Sequence, residues 1–561
     1  MRQAAAALLT ILLVTPSLAQ EKLVETIEVR VVNVDVVVRD HAGNPVTGLT
    51  KDDFEIFDNG KPQPITNLYE IRPETGAPAT ATPGQPATTT AASASEAPSE
   101  LRQRKLIVFI DNYSLPPLRR NQVFIALQKF IEAQMRPTDE TMVVVWNQGL
   151  KIVNQFTSDK NVIRQSIATV NDFSNGGGFT NQQQVDQIKR RANELVDVAK
   201  EGKMSWQDAY SMATSGIDSY AEQTTHSSTR ILDALAKTTG ALAGVEGKKV
   251  LVFAGAHLPE RPGAELYTYM YNLFLPYMRM LNFNMEGITG RSGKTHYSIE
   301  ETAKQASANG VTLYMIDAAD SRDSTSAERP GDANRGLDDT EAFQAFANTA
   351  MAYQTLARIT GGVAITNSEN FDATFASIAR DFNSYYSLGY KPTDDETGGQ
   401  RKLVVKMKNP QYRARTRETY APKSTEDQMS DRVIANIYNE LKGDWKISII
   451  TGPPQKDGGR FKIPVLVSLA PTITLLPKDD QLVGAFTLFI AVGNGSGGRS
   501  TVTRSPQSLK IPPAAEKQLR SRPMTFNALI LMNPGENTLS VGILDQVSNS
   551  TGFARAKVMA E

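Results

Sequence analysis

Lys105-Leu-Ile-Val-Phe-Ile-Asp-Asn-Tyr-Ser114 is the stretch that decides the fold. It is apolar without interruption from Leu106 to Ile110, then breaks at Asp111 into polar residues. Such a run suits a strand buried on both faces of a parallel sheet. A carboxylate just past its C-terminal end sits where open α/β sheets keep their ligands. Next come an apolar-periodic segment (Val123, Leu127, Phe130, Ile131) and a second buried-type strand, Thr141-Met-Val-Val-Val-Trp146. Strand, helix, strand opens a doubly wound α/β domain. Lys249-Val-Leu-Val-Phe253 and Val311-Thr-Leu-Tyr-Met-Ile316, the latter ending in Asp317, extend the pattern.

The chain has 561 residues, too many for one core, so about two to four domains are expected. Its formal net charge is zero and no basic block stands out, which argues against a nucleic-acid partner. Cysteine is absent, excluding disulfides, zinc–thiolate sites and iron–sulfur clusters. Arg2, the apolar Ala4 to Val14 and Ser17-Leu18-Ala19 make an export signal over residues 1–19. No later segment is long and apolar enough to span a bilayer. The expected location is therefore periplasmic or extracellular.

Around the central domain, the chain divides by composition. Alternating apolar residues (Ile27, Val29, Val31, then Val34, Val36, Val38) and turn residues at Asp58-Asn-Gly60 predict a small β-sandwich-like module over 25–72. Residues 73–100 are rich in Ala, Thr, Pro and Ser and read as a disordered linker. The α/β domain is expected over 101–422, with helical or aromatic insertions at 181–225 and 259–295. Short strands with Gly- and Pro-rich turns predict a C-terminal immunoglobulin-like β-sandwich over 431–561.

LIVFIDNYS (106–114), STRILDALA (228–236), GKKVLVFAG (247–255), VTLYMIDA (311–318), LARITGG (356–362) and SYYSLGYKP (384–392) together resemble a von Willebrand factor type A domain. More narrowly, they are similar to the secreted proteins related to that domain in acidobacteria. With the N-terminal VDVVVRDHAGNPVTGLTKDDFEIFDNGKPQPI, the resemblance covers roughly Val29 to Pro422. It implies an adhesion-like binding protein whose metal site takes an Asp and two Ser after the first strand, then a Thr and a second Asp from later loops. Oxygen ligands of that kind suit Mg²⁺, with one position open for a partner's carboxylate. Asp111 matches, but Tyr113 and Leu115 stand at the serine positions, and Thr229 falls at the threonine. Ala254-Gly255-Ala256-His257 replaces the second aspartate.

The expectation is thus a degenerate site at Asp111, Ser114 and Thr229, with no cofactor or at most weak Mg²⁺. No G-x-S-x-G elbow is present and the four histidines show no metal-pair spacing, so a catalytic site is not expected. A secreted hydrolase using Ser114 is the alternative from another class. Tyr267, Tyr271, Phe274 and Tyr277 lie in the aromatic, Met-rich insertion. They form either a partner-binding patch or a local core over the preceding helices.

Overall fold

The computed structural model describes residues 31–72, 103–171, 177–277, 295–319, 335–366, 368–392 and 399–561. Two compact units divide them, one from Arg30 to Ser424 and one holding Thr425–Glu561. The expected signal peptide and the 73–100 linker lie outside the described residues. Among those described, no helix is long and apolar enough to cross a membrane.

The first unit begins with four strands, β1 (Val32–Arg39), β2 (Phe54–Asp58), β3 (Lys61–Gln63) and β4 (Ile65–Ile71). An α/β segment follows: β5 (Arg104–Asp111), α1 (Pro117–Gln134), β6 (Glu140–Trp146), β7 (Leu150–Thr157) and α2 (Lys160–Val170). Next come α3 (Gly177–Lys200), α4 (Trp206–Ala241), β8 (Lys248–Gly255), α5 (Ala264–Phe274), α6 (Thr295–Ala308) and β9 (Val311–Asp317). The segment closes with α7 (Arg335–Thr360), β10 (Ala364–Ile365) and α8 (Phe371–Asn383). Four strands end the unit: β11 (Tyr385–Tyr390), β12 (Arg401–Met407), β13 (Arg413–Arg415) and β14 (Thr419–Tyr420).

Six strands form one sheet in the order β10-β9-β8-β5-β6-β7, parallel except for the antiparallel edge strand β7. Every residue of β5 is buried because it pairs with β6 on one side and β8 on the other. That double enclosure is why its sequence is a continuous apolar run. Leu106, Val108 and Ile110 pack with Phe124, Leu127, Phe130, Phe375 and Phe382 of α1 and α8. On the alternate positions, Phe109 stacks on Phe253 at 5.5 Å, and Tyr353 of α7 meets Phe253 edge-on at 5.7 Å. At the N-terminal end of β5, buried Arg104 forks onto Asp139, with Nε 2.7 Å from Oδ1. Its guanidinium also lies 4.2 Å from the centroid of the Phe382 ring.

The N-terminal strands do not form a module by themselves. β1 pairs with β11 and β13, β4 with β11, and β2 with β12. The sandwich expected over 25–72 is therefore completed by residues 385–420, and the α/β segment ends at about 383 rather than 422. Its two sheets, β13-β1-β11-β4 and β14-β12-β2-β3, enclose Val34, Val36, Phe54, Ile56, Tyr386, Leu388, Tyr390 and Leu403. Half of this core is contributed from each end of the segment, so neither end alone can bury its apolar face. At its centre Asp58, wholly buried, accepts from Arg401 Nε (2.9 Å), Tyr390 OH (3.2 Å) and Tyr420 OH (2.6 Å).

The second unit opens with a helix, α9 (Thr425–Tyr438), which begins ahead of the boundary expected at 431. Nine strands follow: β15 (Ile447–Thr451), β16 (Gln455–Asp457), β17 (Arg460–Leu469), β18 (Leu476–Lys478), β19 (Gln481–Asn494), β20 (Thr503–Ile511), β21 (Met524–Met532), β22 (Gly535–Asp545) and β23 (Thr551–Ala560). They make two antiparallel sheets, one joining β15, β16 and β21 to β17, the other ordered β18-β19-β22-β23 with β20 on β19. Ile463, Val465, Val467, Phe486, Leu539 and Val541 fill the shared core. Buried Asn436 of α9 donates to Ser540 Oγ (3.0 Å) and the Ala554 carbonyl (2.9 Å), fixing the helix on the second sheet.

Candidate functional site at the carboxyl ends of the parallel strands

β5, β8 and β9 end side by side, and each delivers polar groups to one buried cluster. From β5, Asp111 is 3% exposed. Its Oδ2 accepts from Ser114 Oγ at 2.5 Å and its Oδ1 from the Ser114 amide at 3.2 Å. The Ser114 hydroxyl in turn accepts from the Ala256 amide at 2.9 Å, tying the loop after β5 to the loop after β8. From β9, Asp317 accepts from the Ala319 amide at 3.0 Å, while Ala318 N donates to the Gly255 carbonyl at 2.8 Å. Arg119, at the start of α1, lies over the Phe371 ring at 4.7 Å and points Nε at the Ala318 carbonyl, 3.4 Å away.

The electrostatics follow from burial. Desolvation pushes Asp111 up to about 7 against the bonds it accepts from Ser114, and pushes Asp317 up to about 6. Tyr353 is fully buried and its hydroxyl has no partner among the described residues. Burial and the nearby Asp317 and Asp111 raise it well above an ordinary phenol. A Cβ at Gly255 would sit 3.1 Å from that hydroxyl and 2.7 Å from the Phe253 ring, so the strand end needs glycine there to admit the tyrosine. At the cluster's rim, His257 has a buried Nε2 without a partner among the described residues, and desolvation pushes its ring down to about 4. The imidazole is therefore neutral at physiological pH.

Asp111 and Ser114 are brought together as neighbours, but Thr229 is not with them. It lies on an exposed turn of α4, where its hydroxyl donates to the Thr225 carbonyl at 2.8 Å. α4 is one continuous helix from Trp206 through this residue, so no loop aims this side chain at the strand ends. Among the described residues, no group of three or more His, Asp or Glu side chains could share an ion. The Ser114 oxygen is held between Asp111 and an amide, and the carboxylate is desolvated. A hard dication wants several accessible oxygens; this donor set does not fit one.

The aromatic insertion is a local core and not an exposed patch. Phe274 is wholly buried and Tyr267 is 5% exposed, packed with Leu195, Tyr210, Ile217 and Tyr220 of α3 and α4. Tyr267 OH donates to Asp218. Tyr277 stacks on Trp206 with centroids 4.1 Å apart, and Tyr271 is half-buried. Tyr267, Phe274 and Tyr277 cover apolar helix faces, so the four do not form the exposed patch that the partner-binding expectation required. Residues 278–294 of the insertion lie outside the described residues.

Tyr353 and Arg119 carried no sequence signal as site residues. Tyr353 sits mid-helix with ordinary helical spacing, and only the fold brings it to Gly255. No family model matches the chain, and neither does any curated protein. Among solved structures, it is similar to an aerotolerance-related membrane protein from Bacteroides fragilis, at 11% identity over 50% of this chain and 98% of that one, with a TM-score of 0.22. BatB from Bacteroides thetaiotaomicron gives 11% identity, 50% and 96% coverage and 0.20. The PilB minor pilin from Streptococcus sanguinis gives 11%, 50% and 61%, and 0.26. Likenesses this low leave fold and function to be argued from the residues themselves.

Proposed function

We propose that this protein is an exported, non-catalytic binding protein, secreted or periplasmic. Its α/β segment acts as a von Willebrand factor A-like domain with a degenerate metal site, and its second unit as an immunoglobulin-like sandwich. A macromolecular partner, and not nucleic acid, docks at the carboxyl ends of β5, β8 and β9, where open α/β sheets bind. One observation carries this reading: the Asp111–Ser114–Ala256 chain of hydrogen bonds closes the strand ends into a fixed surface without needing an ion. The same bonds weigh against a hydrolase. Ser114 is 5% exposed and its oxygen is already held by the Ala256 amide, so it is not presented to a substrate as a nucleophile must be.

A photo-crosslinking residue at exposed Arg261, in the loop after β8, tests the docking surface in the native host. The expected result is a discrete adduct that is absent when the same group replaces exposed Lys402. No adduct from Arg261, or the same adducts from both positions, would overturn the reading. Because Asp111 and Ser114 are adjacent, the metal-dependent alternative has its own test, calorimetric titration of Mg²⁺ into the full chain and Asp111→Ala. Saturable binding abolished in the variant would restore it.

A further inference from the structure

At the opposite end of the parallel sheet, where β8 and β9 begin, the first unit forms a half-open cavity of about 270 Å³. Lys248, Lys249, Arg415 and Arg417 line it, with Asp35 as the lining carboxylate. Much of this charge serves the helix ends. Lys249 Nζ donates to the Val245 carbonyl (2.9 Å), Arg415 Nη1 to that of Gly361 (2.7 Å) and Arg417 Nη1 to that of Ser307 (3.4 Å), while Arg417 Nη2 reaches the Asn33 carbonyl of β1 (2.9 Å). Arg415 also pairs with Asp381. Orphaned carbonyls past a helix C-terminus recruit such donors.

Three donors are left over. Lys248, 6% exposed, holds its ammonium 3.3 Å from the Tyr385 ring centroid and makes no hydrogen bond or ion pair among the described residues. Arg417 Nε and Thr416 Oγ1 are buried without partners among the described residues. An ammonium, a guanidinium N–H and a hydroxyl around one cavity are the donors that oxyanions take. Native proteins seldom leave so many buried polar groups unmatched in one place.

We propose that this cavity binds a small oxyanion, a phosphate or carboxylate group, through Lys248, Arg417 Nε and Thr416, with Asp35 accepting from a hydroxyl on the same ligand. Charged and polar groups face Lys248 from several elements: Asp35 of β1, Asp381 of α8, Arg415 of β13, Arg104 of β5 and Tyr385 of β11. Burial holds its ammonium down at about 8 against the two aspartates, with the two arginines assisting. Anion affinity is therefore expected to fall as pH rises through 8.

Calorimetric titration of the full chain with inorganic phosphate, and separately with succinate, tests the proposal. The wild type should bind one of them saturably, and which one distinguishes a phosphoryl from a carboxylate ligand. Lys248→Met should weaken that binding by roughly ten- to a hundredfold. Thr416→Val replaces an unpartnered hydroxyl with an isosteric methyl, so it folds and keeps the test decisive should the lysine variant fail to; it should weaken binding by roughly tenfold. Binding of neither probe, or binding unchanged in every variant that folds, would overturn the proposal.

Discussion

Replacing Asp111 by Asn should stabilise the α/β segment at neutral pH. The folded carboxyl is held at about 7 by burial, against an ordinary 3.8. A group whose folded pKa is raised contributes stability fully present below its unfolded pKa and lost as pH rises through the folded one. Here that window runs from about 4 to 7, and the whole effect is roughly 4 kcal/mol. Asn mimics the neutral form at every pH but leaves the Ser114 hydroxyl proton to find a new acceptor, at a cost of about 1–2 kcal/mol. The net expectation at pH 7.5 is a gain of about 2 kcal/mol. Asp317 titrates with the same sign. His257, held down at about 4, acts oppositely, its contribution being lost as pH falls below about 6.5. The variant must therefore be compared with wild type at each pH. Hydrogen exchange of β5 and β8 amides is the suitable assay, because it reports on this segment alone. A loss of protection in Asp111→Asn at pH 7.5 would refute the reasoning. It would mean that the carboxylate is ionised and compensated, as a bound cation would make it.

Asp58→Ala leaves Arg401 buried without its partner and should cost about 3–5 kcal/mol, seen as early loss of exchange protection in β2 and β12. Phe274→Ala should cost about 3–5 kcal/mol within the α3–α5 cluster, with exchange in β5 unchanged. Gly362→Ala would set a Cβ 1.8 Å from the Leu313 carbonyl oxygen, so it should lower the midpoint of thermal unfolding or prevent folding, as circular dichroism would show.

Leu106 to Ile110 could be read as a buried strand because its enclosure is written into consecutive residues. Tyr353 could not be found, since its proximity to Gly255 arises from how α7 crosses β8, and no local spacing encodes a crossing. Thr229 was misplaced for a different reason. The run Thr224-Thr-His-Ser-Ser-Thr229 has weak helix propensity, which invites a helix start. In the fold, α4 runs through it because Thr224, Ser228, Ile231 and Leu232 lie on its buried face. The aromatic insertion was legible as sticky but not as covered, because which helices it covers is a tertiary fact. The sandwich over 25–72 failed similarly: alternation in Val34, Val36 and Val38 identifies a strand but not its partner.

That last pairing bears on the order of synthesis. Val36 lies opposite Tyr386, and Ile56 opposite Val405. β2 and β3 can pair with each other at once, but β1, β4 and the other edge of β2 emerge without their partner strands and stay so until the whole α/β segment has been made. Contacts so distant along the chain form slowly, and unpaired strands invite association with other chains in the meantime. A chain truncated before residue 385 would carry that exposure permanently. The α/β segment, by contrast, holds its six strands within residues 104–365 and can fold while its clamp is still open.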